Sequence, residues 1–202
     1  MPAKGARYHH GDLRAALVDA AVAVIAERGV RDFSMAEASR RLGVTTAAPY
    51  RHFADRDELL AAVAARGLKV WAAMLSGAAD AADTPADQLA AMAGTYVRFA
   101  AQQRPLFDTL FSSGLDKSLH PELQRAWEPV DALLTAVVQR VCDDDPAAAE
   151  ALADAIEATA HGYAMLLTDG EYGDGQDAVD ATAARAIASA RALIAGRREL
   201  PG

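Results

Sequence analysis

The chain has 202 residues, 52% of them hydrophobic but only 6% aromatic, and a formal net charge of −8 at pH 7. That length suffices for one large or two small domains with a real core, and apolar content drawn mainly from Ala, Leu and Val favours closely packed helices over strands. The acidic balance excludes a protein that coats nucleic acid with its whole surface, the single Cys142 excludes an internal disulfide and fits a reducing cytoplasm, and no stretch approaches the 18 uncharged apolar residues of a membrane span.

Residues 1–10 have no apolar period and read as an arm, in which Lys4 and Arg7 either reach phosphates or are simply solvated. His9 and His10 are adjacent, so regular structure would aim them apart, and they are not expected to bind metal. A helix is predicted from about Asp12 to Arg28, with Leu13, Leu17, Ala21, Val24 and Ile25 as its apolar stripe and Gly29 as its end. Asp19 interrupts this first apolar run, which therefore starts a helix and is no secretory leader.

Ser34-Met-Ala-Glu37 forms a capping box, followed by Met35, Ala38 and Leu42 on one face and by Gly43, which suits a left-handed helix end. Thr45 is the expected cap of a second short helix, reaching to about Phe53. Two short helices around a glycine turn make a helix-turn-helix. At about 100° per residue, Thr46, Ala47, Tyr50 and Arg51 share one side of the second helix, while Ala48, Pro49, His52 and Phe53 share the other. The first side is small enough to approach a groove, with a hydroxyl and a guanidinium that reach phosphates or base edges. Arg40 and Arg41, in the last turn of the preceding helix, serve either its dipole or a phosphate.

Asp55-Arg-Asp-Glu58 is a second capping box, opening a helix expected to end near Ser76, with Gly77 to Asp83 as a linker. Thr84-Pro85 opens the next helix, to about Gln103, and Leu106, Phe107, Leu110 and Phe111 form a short one after Arg104-Pro105. Pro121 starts a helix to about Cys142 that Pro129 should kink or split. The last two helices are expected over about 145–168 and 177–195, separated by the Gly-rich acidic loop Asp169 to Gln176. The expected fold is thus all-α with about nine helices, divided into a head over residues 1–56 and a body over 57–202.

Charge follows the same division. Residues 1–56 hold nine Lys/Arg against six Asp/Glu, whereas the remainder holds eleven against twenty-two. A basic head on an acidic body fits a DNA-binding domain joined to a sensing domain. Catalysis finds no support: the chain has no G-x-S-x-G elbow, no phosphate-cradling glycine loop and no H-E-x-x-H, and no cofactor or metal is implied.

The order Ser34, Gly43-Val44, Tyr50-Arg51-His52-Phe53 and Asp55-Arg56-Asp57-Glu58-Leu59, with Tyr8-His9-His10-Gly11-Asp12-Leu13-Arg14 upstream, resembles the DNA-binding region of the tetracycline-repressor (TetR) family. The resemblance covers roughly residues 8 to 60 and is specific in combination. Ala160-His161-Gly162 is similar to a Trp-His-Gly signature of one C-terminal domain type, with alanine in place of the tryptophan. The resemblance implies a repressor that binds a double-stranded, pseudo-palindromic operator as a homodimer through its two C-terminal helices. It further implies release by a small apolar or amphipathic effector, without a membrane partner.

The implied DNA-contacting set is Ser34, Thr45, Thr46, Ala47, Tyr50, Arg51, His52 and Arg56. Tyr50, His52 and Arg56 are expected on phosphates, and Thr46, Ala47 and Arg51 on bases. Ala36 stands where some members carry a base-reading polar residue. For the body, Met92, Tyr96, Phe99, Phe107, Phe111, Trp127, His161 and Tyr163 either line an effector pocket or fill a core.

Overall fold

The computed structural model describes residues 13–200; Asp12 as the first helix start, and the arm with Lys4, Arg7, His9 and His10, lie outside them. The described residues form eight α-helices: α1 (Leu13–Arg28), α2 (Met35–Leu42), α3 (Arg56–Asp80), α4 (Pro85–Gln102), α5 (Arg104–Ser112), α6 (Pro121–Val141), α7 (Pro146–Thr168) and α8 (Gln176–Ala195). Three short 3₁₀ turns, Pro49–Arg51, Lys117–Leu119 and Arg197–Glu199, complete the described elements. The fold is all-helical, as the composition requires.

Local chemistry sets most of the helix ends. Ser34 is extended (φ −137°, ψ 148°) and its Oγ accepts the Glu37 N–H at 3.3 Å. Glu37 turns its carboxylate outward to Arg40 (2.8 Å) and Arg28 (3.4 Å). Gly43 takes φ 67°, and the Gly43 and Val44 N–H groups donate to the Arg40 and Ser39 carbonyls, the paired bonds of a Schellman ending. Asp55, Thr84 and Asp145 cap α3, α4 and α7 in the same way as Ser34 caps α2, through side-chain oxygens that accept early backbone N–H groups.

Three sequence expectations need correction. The helix expected from Thr45 to Phe53 is only a turn and the 3₁₀ segment Pro49–Arg51, with no side-chain cap. Pro49 has no N–H to donate to the Thr45 carbonyl, and proline disfavours the α conformation in the residue before it. The Ala48 N–H takes up the Thr45 carbonyl instead, at 3.0 Å and with tighter i→i+3 spacing. The Gly77–Asp83 linker shrinks, because α3 continues to Asp80 with Ala79 buried against the core. Pro129 does not split α6; both it and Arg125, whose carbonyl it leaves free, are exposed, so water can satisfy that group.

α3 is the axis of the molecule. It packs on α1, α4, α5 and α6. At Gly67 the approach to α5 is tight, since a Cβ there would lie 3.2 Å from that of Leu106. By length and composition α3 is apolar enough to cross a membrane, but most of that apolar window is buried in the fold. Arg14 of α1 pairs with Glu122 of α6 at 2.7 Å, and Arg66 of α3 pairs with Asp19 of α1, so ion pairs also cross the junction between head and body.

In the body, α4 lies between α8 and α7. The α4–α8 approach is tight at Gly94, where a Cβ would stand 2.7 Å from Ile187 Cγ1 and 3.2 Å from the Ala183 carbonyl oxygen. Gly94→Ala should therefore destabilise the protein by about 1–3 kcal/mol through overpacking. A double-mutant cycle with Ile187→Ala, read by denaturant unfolding, should recover part of that loss; additive losses would place the strain elsewhere.

Candidate nucleic-acid interface and body cavity

The basic head presents one exposed edge. Thr45, Thr46, Ala47, Tyr50 and Arg51 are all exposed, Tyr50 at 59%. Beneath them Pro49 and Phe53 are buried, Phe53 at 1%, with Ala48 and His52 partly covered. The sidedness expected of a helix therefore survives in the tighter 3₁₀ turn. Phe53 is fixed from the other side by the Arg14 guanidinium, 5.0 Å from its ring centroid.

The head's cations are not equivalent. Arg51 and the Tyr50 hydroxyl have no side-chain partner among the described residues. Arg41 is held by Glu27 at 2.8 Å, which keeps the Glu27 carboxyl below its ordinary pKa, and Arg40 is held by Glu37. The Ser34 hydroxyl is engaged in its cap, and Ala36 is exposed on α2.

Arg56 is drawn inward. Its Nη2 donates to the Val30 carbonyl at 2.8 Å, its Nε to the Phe33 carbonyl at 3.2 Å, and its Nη1 to Asp57 at 3.1 Å. The first turn of α3 is thereby latched to the segment between α1 and α2. The phosphate contact that the family resemblance implies for Arg56 would come in addition to these bonds; their two acceptor carbonyls, in a loop 23 and 26 residues upstream, leave no local pattern in the sequence.

The body encloses a cavity of about 100 Å³ between α3, α4, α6 and α7. Trp71 and Leu75 come from α3, Leu89, Met92, Ala93 and Tyr96 from α4, Trp127, Asp131, Leu134 and Val138 from α6, and Ala153, Ile156, Glu157 and Ala160 from α7. Asp131 and Glu157 are exposed and mark its mouth. Trp71 and Trp127 meet edge to face with centroids 5.7 Å apart, and both indole nitrogens are buried without an acceptor.

Of the residues named from sequence, Met92, Tyr96 and Trp127 line this cavity. Phe99 and Phe107 are fully buried core, Phe99 stacked on Trp71 at 5.6 Å. Phe111 and His161 face a shallow outer groove with Asp154 and Glu157, and the Tyr163 hydroxyl bonds Ser189 of α8 at 3.1 Å. Tyr96 joins cavity to groove: its hydroxyl lies 2.8 Å from His161 Nδ1. Burial, with the Glu157 charge adding to it, pushes the phenol pKa well above its ordinary value, so Tyr96 keeps its proton.

Sequence reading missed Trp71, Asp131 and Glu157. A lone tryptophan in the alanine-rich second half of α3 was the available signal for Trp71. Ala160 has a meaning that the sequence did not disclose. It lines the cavity, so an indole at this position, as in the Trp-His-Gly signature, would enter the space now open.

Two family models match the chain: residues 17–63 match bacterial regulatory proteins of the tetR family, and residues 89–190 match the tetracyclin repressor-like C-terminal domain. Among curated proteins, the chain is similar to the HTH-type transcriptional regulator BetI of Brucella canis, 32% identical over 90 residues, covering 45% of this chain and 44% of that protein. The alignment thus spans less than half the length of the curated relatives it matches. Among solved structures, a protein of unknown function from Rhodococcus sp. RHA1 superposes with a TM-score of 0.72 at 29% identity, covering 98% of this chain and 100% of that one. FadR of Bacillus subtilis in complex with stearoyl-CoA superposes with a TM-score of 0.66 at 16% identity, covering 89% of this chain and 96% of that one, a likeness of fold.

The Arg56 latch has a measurable worth. Arg56→Gln should destabilise the protein by about 1.5–3 kcal/mol in denaturant unfolding, and Arg56→Lys should restore little, because one ammonium cannot span both carbonyls. Full recovery with lysine would mean that charge alone matters at this position.

Proposed function

The chain belongs to the tetR family of bacterial regulatory proteins and is a DNA-binding transcriptional regulator; from that premise we propose that it is a cytoplasmic homodimer that represses from a pseudo-palindromic operator and lets go when an effector enters its body. The observation that carries the DNA-contact assignment is the exposed Tyr50–Arg51 pair on an edge whose underside, Pro49 and Phe53, is locked in the core.

In this reading, Tyr50 and His52 contact phosphates and fix the register, while Thr46, Ala47 and Arg51 address base edges in the major groove. Ser34 and Thr45 add backbone contacts at the rim. Arg56 acts on DNA indirectly, by holding the head in line with α3. Dimerisation through α7 and α8, both alanine-rich and able to pack closely, spaces the two heads by about one DNA turn, ~34–36 Å.

The effector is a small apolar or amphipathic molecule in the cavity against Trp71, Tyr96 and Trp127. Because α3 carries both Arg56 and Trp71, a ligand that fits one arrangement of the cavity better than another shifts the population of head separations.

Sites selected from random duplexes and tested by gel shift examine the DNA assignment. Tyr50→Ala should weaken specific and scrambled duplexes alike without changing the salt dependence, since a neutral hydroxyl releases no counterion, whereas Arg51→Ala should lose about 1–3 kcal/mol of discrimination at one base position. Equal loss of specific and non-specific affinity in Arg51→Ala would remove it from base readout.

A further inference from the structure

Rested on the effector-controlled reading above, the geometry points to the class of effector: we propose that the cavity takes an organic cation, an amine or quaternary ammonium with a compact apolar body. Three observations converge on this. First, the walls are aromatic. Trp71, Tyr96 and Trp127 line the space, and aromatic rings attract a positive centre through their quadrupoles. Trp127 already shows this chemistry, with the Lys117 ammonium 4.0 Å from its ring centroid.

Second, both charged residues in the lining, Asp131 and Glu157, are acidic, and neither is paired with Lys, Arg or His among the described residues. They come from different helices, α6 and α7, and both are exposed where they line the cavity. A cation seated there gains two carboxylates without displacing an existing partner. An anion would meet both of them unscreened by any lining cation, within a body that already carries twice as many acidic as basic residues.

Third, the space is limited by what stands at position 160. With alanine there the cavity is about 100 Å³, room for a compact body and not for a long chain.

The chain's two tryptophans both line the cavity, so intrinsic fluorescence of the full-length protein reads the site without a label. Titration with benzyltrimethylammonium should give a saturable change, and neopentylbenzene (the same shape without the charge) and benzoate should bind at least tenfold more weakly. Asp131→Asn with Glu157→Gln, at exposed positions that the fold does not rely on, should lower the cation's affinity about tenfold, and added salt should weaken binding to the parent protein. Ala160→Leu should abolish the response by filling the space. Equal binding of the neutral isostere, tighter binding of benzoate, or undiminished cation binding in the carboxamide variant would each overturn the proposal. Gel shifts on selected duplexes, run in parallel, separate the two readings. A chain that binds no duplex refutes the regulator, whereas one that binds duplex but ignores the cation refutes only the ligand class.

Discussion

The two hydrogen bonds from Arg56 to the Val30 and Phe33 carbonyls are the constraint on which the rest of the molecule turns. They tie the start of a 25-residue helix to the segment between α1 and α2, and the same helix supplies Trp71 and Leu75 to the cavity wall. At 1.5 Å per residue, Arg56 and Trp71 are about 22 Å apart along one uninterrupted rod. Without the latch, α3 would report on the cavity but move against a head free to stay behind. With it, a displacement at Trp71 is carried to the segment between α1 and α2 by backbone hydrogen bonds and a guanidinium fork.

The head illustrates how close packing can replace regular structure. Pro49 denies the second unit of the helix-turn-helix its first α-helical hydrogen bond, yet the edge still presents Thr46, Ala47, Tyr50 and Arg51 outward. Burial of Pro49 and Phe53 sets that orientation, and the Arg14 guanidinium over Phe53 completes the seat. What matters for recognition is which side chains the core holds down, and the helix type is secondary.

Much of this was legible in the sequence, because it is written in local chemistry. The Ser34 cap, the Gly43 ending, the Asp55, Thr84 and Asp145 caps and the apolar stripes all depend on residues within a few positions of one another. Two failures were also local. Pro49 removes an α-helical N–H where the side-chain pattern alone continues the helix, and the alanines after Gly77 extend α3 because helix propensity outweighs one glycine. The cavity was different in kind. Its walls come from four helices, and the large side chains chosen from the body divided into lining (Met92, Tyr96, Trp127), solid core (Phe99, Phe107) and outer surface (His161) according to helix rotations that no linear pattern records.

The near-contact at Gly94 bears on how a force inside the body would be distributed. With α4 pressed against the backbone and Ile187 of α8, the wall that carries Tyr96 has nothing soft behind it and works as an anvil. The opposite wall, α6, borders solvent along Asp131 and the exposed Pro129, where yielding costs little. A guest wedged between these unequal walls would recoil from the stiff side, and the thrust would fall first on α6.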